Sequence, residues 1–87
     1  MDVADEIHIS SLVIHARPER VDAVRLAADD IAGCEIHAAT ASGKLVLTLE
    51  TTSERAITET LDRLGLLEGV LAATLVYHHV ETLAKGR

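Results

Sequence analysis

Residues 44–78 read KLVLTLETTSERAITETLDRLGLLEGVLAATLVYH, and this stretch contains one complete β-α-β unit. Alternating leucines predict a strand over Lys44–Glu50. The recurrence of apolar side chains at helical spacing predicts a helix over Glu54–Leu66. A turn at Gly69 then leads into a second strand over Leu71–His78, so the unit closes within 35 residues.

The first half of the chain repeats the same order of elements. A strand over Ile7–His15 leads into a helix over Pro18–Ile31, which stops at Gly33 before a short strand over Glu35–Thr40. Two successive β-α-β units predict an α+β fold, a split β-α-β sandwich. Right-handed crossovers place both helices on one face of a four-stranded antiparallel sheet with the order 4-1-3-2. The other face of the sheet is left without a helix to cover it.

The composition limits the chain to one small domain and argues against several kinds of partner. We expect residues 1–87 to form a single domain with a core over about 7–81 and a disordered tail over 82–87. The net charge is −6, and Tyr77 is the one aromatic residue. Nucleic acid binding is disfavoured because phosphates require clustered cations, and single strands require stacking rings.

The first residues and the cysteine content bear on location. Residues 1–6 carry three acids and no basic segment, which is unlike a secretory signal. No apolar run approaches the 18 residues or so that a membrane span needs. Cys34 is the single cysteine, so no internal disulfide forms, which fits a reducing compartment. We therefore expect a cytoplasmic protein that does not insert into membranes.

Strand alternation predicts which side chains face the helices. Leu45, Leu47 and Leu49 are assigned to the core because they form the bulkier set of their strand. By the same rule the core set of the last strand is Leu71, Ala73, Leu75 and Tyr77, with Ala72, Thr74, Val76 and His78 on the other side. For the first strand the outward set is predicted to be His8, Ser10, Leu12 and Ile14, because His8 is its most polar member. A shift of one residue reverses every side chain of a strand, so the opposite assignment of the first strand stays open.

These assignments predict an uncovered, mildly apolar sheet face that binds a peptide or protein segment. The predicted contact residues are Ser10, Leu12, Ile14, Val46, Thr48, Glu50, Thr74, Val76 and Glu81. Scattered β-branched residues also occur on sheet faces that only meet water, so this structural reading stands beside the functional one.

Catalytic and metal chemistry find little support in the motifs. His78 and His79 are adjacent in a strand, so their side chains point to opposite faces and cannot easily share a metal. No second cysteine supplies a thiolate pair. Ser10 and Ser11 lie within a strand, without the sharp glycine-flanked turn that exposes a nucleophilic serine. We expect no enzymatic activity, no cofactor and no metal.

Several short blocks of sequence, in their order and spacing, closely resemble the NapD-type chaperones. The blocks are Ser11–Ile14 with Glu19-Arg20, Gly33–Ile36, Ser42–Val46, Glu68–Ala72 and Leu75–His78. The resemblance covers about residues 7–81. It implies a ferredoxin-like fold and a cytoplasmic assembly protein of the periplasmic nitrate reductase. Such a chaperone binds the twin-arginine signal peptide of the catalytic subunit precursor and delays export until the molybdenum cofactor is inserted.

The acidic charge and the predicted apolar face fit this function, and two other functions remain open. A twin-arginine signal joins a basic head to an apolar stretch, which an acidic domain with an apolar face complements. The first alternative is a small-molecule regulatory module of the same fold, although His15–Pro18 lacks the glycine that such modules carry in their first loop. The second is an inert subunit of an oligomer.

Overall fold

The computed structural model describes residues 6–82, which form one four-stranded antiparallel sheet with two helices. The strand order is β2-β3-β1-β4, which is the predicted order read from the other edge. This confirms the α+β, ferredoxin-like arrangement. The elements are β1 (Glu6–Ala16), a 3-10 turn (Pro18–Arg20), α1 (Val21–Asp29), β2 (Cys34–Ala39), β3 (Lys44–Thr51), α2 (Glu54–Gly65) and β4 (Val70–Thr82).

Local chemistry explains where α2 and the β2–β3 hairpin begin and end. Ser53 caps α2, because its hydroxyl oxygen accepts a hydrogen bond from the Ala56 amide at 3.1 Å. Gly43 closes the hairpin at φ +113°, and its carbonyl accepts from the Ala16 amide at 2.7 Å. A side chain at Gly43 would collide with the Ala16 carbonyl oxygen, so both the positive φ and the close approach require glycine.

The core lies between the helices and one face of the sheet. Leu45, Leu47 and Leu49 are fully buried there, as the alternation of β3 predicted. Val24 of α1 and Leu64 of α2 pack into the same cluster. An aliphatic core of this kind stabilises the fold through the area that it removes from water.

The predicted facing of the first strand is wrong. Ser10, Leu12 and Ile14 are 0% exposed and His8 is 6% exposed, so this set points to the core rather than outward. Burial of the polar His8 ring is tolerated because its Nδ1 lies 3.0 Å from Nε2 of His78, within hydrogen-bond distance. The large pair Leu12 and Ile14 fills the core, and that requirement outweighs the polarity of His8.

The predicted facing of the last strand is wrong beyond Leu75, because β4 contains an irregularity. Leu12 of β1 pairs with Leu75, but the preceding Ser11 pairs with Tyr77, which leaves Val76 as an extra residue. Such a bulge shifts every later residue to the opposite face. Tyr77 therefore points outward and is 57% exposed, whereas His78 turns inward toward His8.

A second irregularity lies at the start of β4, and the strand is longer than predicted. Ala16 pairs with Val70 while His15 pairs with Ala72, so Leu71 is a further extra residue and is 65% exposed rather than in the core. The strand continues past His78 to Thr82, so residue 82, where the disordered tail was predicted to begin, belongs to β4. The rest of the predicted tail, residues 83–87, lies outside the described part of the chain.

Candidate functional site

The sheet face opposite the helices is not covered by another element of the described residues, and we call it the open face. Strand pairing places the following residues on it: Glu35 and Ala38 of β2, Lys44, Val46, Thr48 and Glu50 of β3, Ile7, Ile9, Ser11, Val13 and His15 of β1, and Ala72, Thr74, Tyr77, His79 and Glu81 of β4. Residues that pair across antiparallel strands lie side by side on the same face, so these side chains form rows across the sheet.

The floor of the open face is apolar. Ile7, Ile9 and Val13 of the central strand β1 are half-buried, as is Val46 of β3. Val13 and Val46 are direct cross-strand partners, so their side chains form a continuous aliphatic surface. Burying such methyl groups against a partner would contribute roughly 25 cal/mol per Å².

Polar and aromatic side chains line both edges of this floor. Along β4 the Tyr77 and His79 rings stack, with centroids 6.4 Å apart and planes at 10°. Nε2 of His79 lies 3.7 Å from a carboxylate oxygen of Glu81. At the other edge, Nε2 of His37 is 2.8 Å from the hydroxyl oxygen of Thr48. The floor is therefore framed by groups that can donate or accept hydrogen bonds.

The charges of the open face are separated along the strands. Glu50 and Glu81 lie in the half where β1 begins, since they pair with Ile9 and Ile7 respectively. Glu35 pairs with Thr48, which pairs with Ser11, so it lies level with the middle of β1. The Lys44 ammonium lies at the opposite end, where its residue pairs with His15. A ligand that crosses this face therefore meets carboxylates at one end and an ammonium group at the other.

Five of the nine predicted contact residues lie together on the open face: Val46, Thr48, Glu50, Thr74 and Glu81. Val76 is exposed at the bulge of the edge strand. The other three, Ser10, Leu12 and Ile14, are buried on the helix-covered face of the sheet and offer no surface to a ligand.

The sequence analysis missed the β1 residues of the open face, and it missed Tyr77 and His79. A signal for the β1 residues was present, because Leu12 and Ile14 are bulkier than Ser11 and Val13. The size rule that worked for β3 would have placed the bulkier pair inside. Tyr77 and His79 carry no such signal, since their direction depends on a bulge that local sequence does not mark.

Other chemistry on the described residues is limited. Across residues 6–82, no three His, Cys, Asp or Glu side chains are grouped to hold a metal ion. Cys34 is half-buried at the start of β2, and desolvation raises the pKa of its thiol. No helix within the described range has the length and apolar character to cross a membrane.

Known proteins of the same kind are found by both sequence and structure. The family described as NapD protein matches residues 7–82. The Chaperone NapD of Escherichia coli K12 is 34% identical over 74 residues, which cover 84% of this chain and 85% of the relative. That of Paracoccus pantotrophus is also 34% identical over 74 residues, 85% of this chain and 65% of the relative.

A solved structure shares the fold described above. The solution structure of the E. coli Tat proofreading chaperone protein NapD superposes with a TM-score of 0.78 at 30% identity. The match covers 93% of this chain and 84% of that one. With the family match over nearly all the described residues, this agreement places the chain in the NapD family of chaperones.

Proposed function

We propose that this protein is a cytoplasmic chaperone for the twin-arginine signal peptide of a periplasmic nitrate reductase catalytic subunit precursor. By binding the signal, it delays export until cofactor insertion is complete. The description of the E. coli relative as a Tat proofreading chaperone supports this role. The role is one of binding rather than catalysis. The observation that carries it is the open face, an apolar floor with carboxylates at one end.

The apolar part of such a signal matches the floor in chemistry. Ile9, Val13 and Val46 present methyl groups that remain partly in water in the free protein. An apolar segment laid on them removes two hydrophobic surfaces from water at once. Thr48 and Thr74 lie beside Val46 and Val13 and supply hydroxyl groups for hydrogen bonds with the peptide.

The arginines of the signal match the rim carboxylates. Glu50 is exposed at the end of β3, and Glu81 lies across β1 from it on β4. A guanidinium group presents a planar fork that a carboxylate accepts in bidentate fashion, which a lysine ammonium cannot reproduce. Exposed ion pairs contribute about 0–1 kcal/mol each, so these contacts select the peptide more than they hold it.

Calorimetry with a synthetic twin-arginine signal peptide tests the proposal. We expect binding that weakens as salt rises, because exposed charges are screened beyond about 10 Å at 0.1 M salt. Val46→Asp should weaken binding at least tenfold. Leu66→Asp is the matched control, since Leu66 is an exposed apolar side chain at the end of α2, away from the open face. Absence of heat and of chemical-shift changes at high micromolar peptide would refute the proposal.

A double-mutant cycle tests the arginine contacts separately. It combines Glu50→Gln or Glu81→Gln in the protein with Arg→Lys in the peptide. A coupling energy above about 0.5 kcal/mol for either residue would assign it as an arginine partner. Coupling of zero for both would mean that the overall field of the acidic domain attracts the peptide, without named partners.

A further inference from the structure

We infer that the signal peptide lies on the open face in one fixed direction. Its basic N-terminal segment lies at the end that carries Glu50 and Glu81, and its apolar segment runs toward Lys44 and His15. The inference rests on the proposed function and adds a polarity to it. It follows from three features of the face: the separation of its charges, the distance between them and the position of the aliphatic residues.

The separation of charge is a property of the face rather than of the net charge. Two of the three open-face carboxylates, those of Glu50 and Glu81, lie in the half where β1 begins, and the third, that of Glu35, lies level with the middle of β1. Lys44 lies where β1 ends. A basic segment placed at the Lys44 end would meet an ammonium group of its own sign, and this repulsion disfavours the reversed direction.

The two ends are far enough apart to act independently. Glu50 and Lys44 are six residues apart on β3, which corresponds to about 20 Å of extended chain. The screening length at physiological ionic strength is about 8 Å. The arginines of a bound peptide therefore interact with the end on which they lie, and Lys44 does not cancel the attraction of the distant carboxylates.

The acidic end also suits the aliphatic stems of arginine side chains. Ile9 pairs with Glu50 on one side, and Ile7 pairs with Glu81 on the other, so both isoleucines lie between the two carboxylates. Arginine buries its methylene groups on apolar surface while its guanidinium reaches a polar rim. Glu50 and Glu81 are two strand spacings apart, about 10 Å across the sheet, so each can take a different arginine.

The other half of the face suits a segment without cations. Val13 and Val46 form its centre, and the small side chains Ala38 and Ala72 lie toward its two edges. No open-face carboxylate lies in this half among the described residues. The order of the charged and apolar segments along the peptide sets the direction of binding, whether the bound backbone is extended or helical.

Paramagnetic labelling of the peptide tests the direction on the unaltered protein. The signal peptide is prepared with a nitroxide at its N-terminus or at its C-terminus, and the methyl signals of the protein are recorded with each. The N-terminal label should broaden Ile7 and Ile9 more than Val13 and Val46, and the C-terminal label should do the reverse. The opposite pattern, or equal broadening by both labels, would overturn the inference. If neither peptide binds, the proposed function fails instead.

A charge exchange provides an independent test at constant net charge. In Glu50→Lys combined with Lys44→Glu, both changes are at exposed positions and the net charge stays at −6. We expect peptide affinity to fall about tenfold with little change in the thermal unfolding midpoint. Unchanged affinity in a folded variant would show that the net charge alone attracts the peptide and that the local polarity does not matter.

Discussion

The two faces of the sheet are made from the same strands, yet they differ in what their side chains do. On the helix-covered face, Leu12 and Leu47 are direct partners and both are 0% exposed. Their sequence neighbours Val13 and Val46 are also partners, but they remain half-exposed on the open face. Strand alternation thus places adjacent residues on opposite faces of the sheet. One set stabilises the fold, and the other is free to bind a partner.

The difference also shows how polar groups are treated on each side. On the covered face, the His8 ring is 6% exposed and lies against His78, with ring centroids 5.2 Å apart. At the edge of the open face, His37 contacts Thr48 while still exposed to water. A buried polar group needs its partner because water cannot replace it, whereas an exposed one does not.

The largest expected effect separates two adjacent residues of β1. Leu12→Asp places a carboxylate in the core, and we expect it to cost more than about 5 kcal/mol and to unfold the protein, because small domains have little stability to lose. Val13→Asp should cost about 1 kcal/mol and leave the fold intact while weakening peptide binding. Urea unfolding followed by circular dichroism measures both.

These two variants also test which side chains of β1 face the helices. A folded Leu12→Asp protein, or an unfolded Val13→Asp protein, would show that β1 presents the opposite face. A folded Val13→Asp variant that still binds the peptide with unchanged affinity would leave the fold as described but remove Val13 from the binding surface.

A smaller effect on stability is expected when either of two histidines is replaced, although each makes one side-chain hydrogen bond. His8→Ala should lower the free energy of unfolding by about 2 kcal/mol, because it removes a buried ring and leaves His78 without its partner. His37→Ala should change it by less than about 0.5 kcal/mol. Equal losses for the two variants would contradict the distinction between the covered and the open face.

The smallest expected effect concerns Cys34, whose residue pairs with Leu49 on the covered side of the sheet. Desolvation raises the pKa of its thiol, so less thiolate is present at pH 8 than in an exposed cysteine. Alkylation by iodoacetamide should therefore be several-fold slower in the folded protein than in urea. Saturating signal peptide should leave the folded rate unchanged, since the proposed binding surface is the other face of the sheet. Acceleration or full protection by the peptide would count against that.

Much of the fold follows from local signals in the sequence. The two successive β-α-β units predict the order of the strands, and the positive φ of Gly33 and Gly69 matches the predicted turns. The leucines of β3 predict their own burial because they form the bulkier set of that strand. These predictions succeed because each depends on residues that are close in sequence.

The candidate site was only partly predictable from the sequence. The wrong assignments of side chains to the two sheet faces depend on contacts between residues that are distant in sequence. His8 is polar, but its burial is made possible by His78, 70 positions along the chain. Tyr77 and His78 exchange faces because of a bulge, which is visible only when β4 is paired with β1. The predicted facing of the β3 side chains was correct, whereas the facing of those on β1 and on the latter half of β4 depends on the tertiary structure.

Contacts between the signal peptide and individual methyl groups would show on which face of the sheet the peptide lies. The protein is labelled at its isoleucine, leucine and valine methyl groups, and intermolecular nuclear Overhauser effects to unlabelled peptide are recorded. We expect contacts to Ile7, Ile9, Val13 and Val46, and none to Leu12, Leu47 or Leu49. Contacts confined to methyl groups on the helices, such as those of Leu26 or Leu66, would show that the open face is not the binding surface.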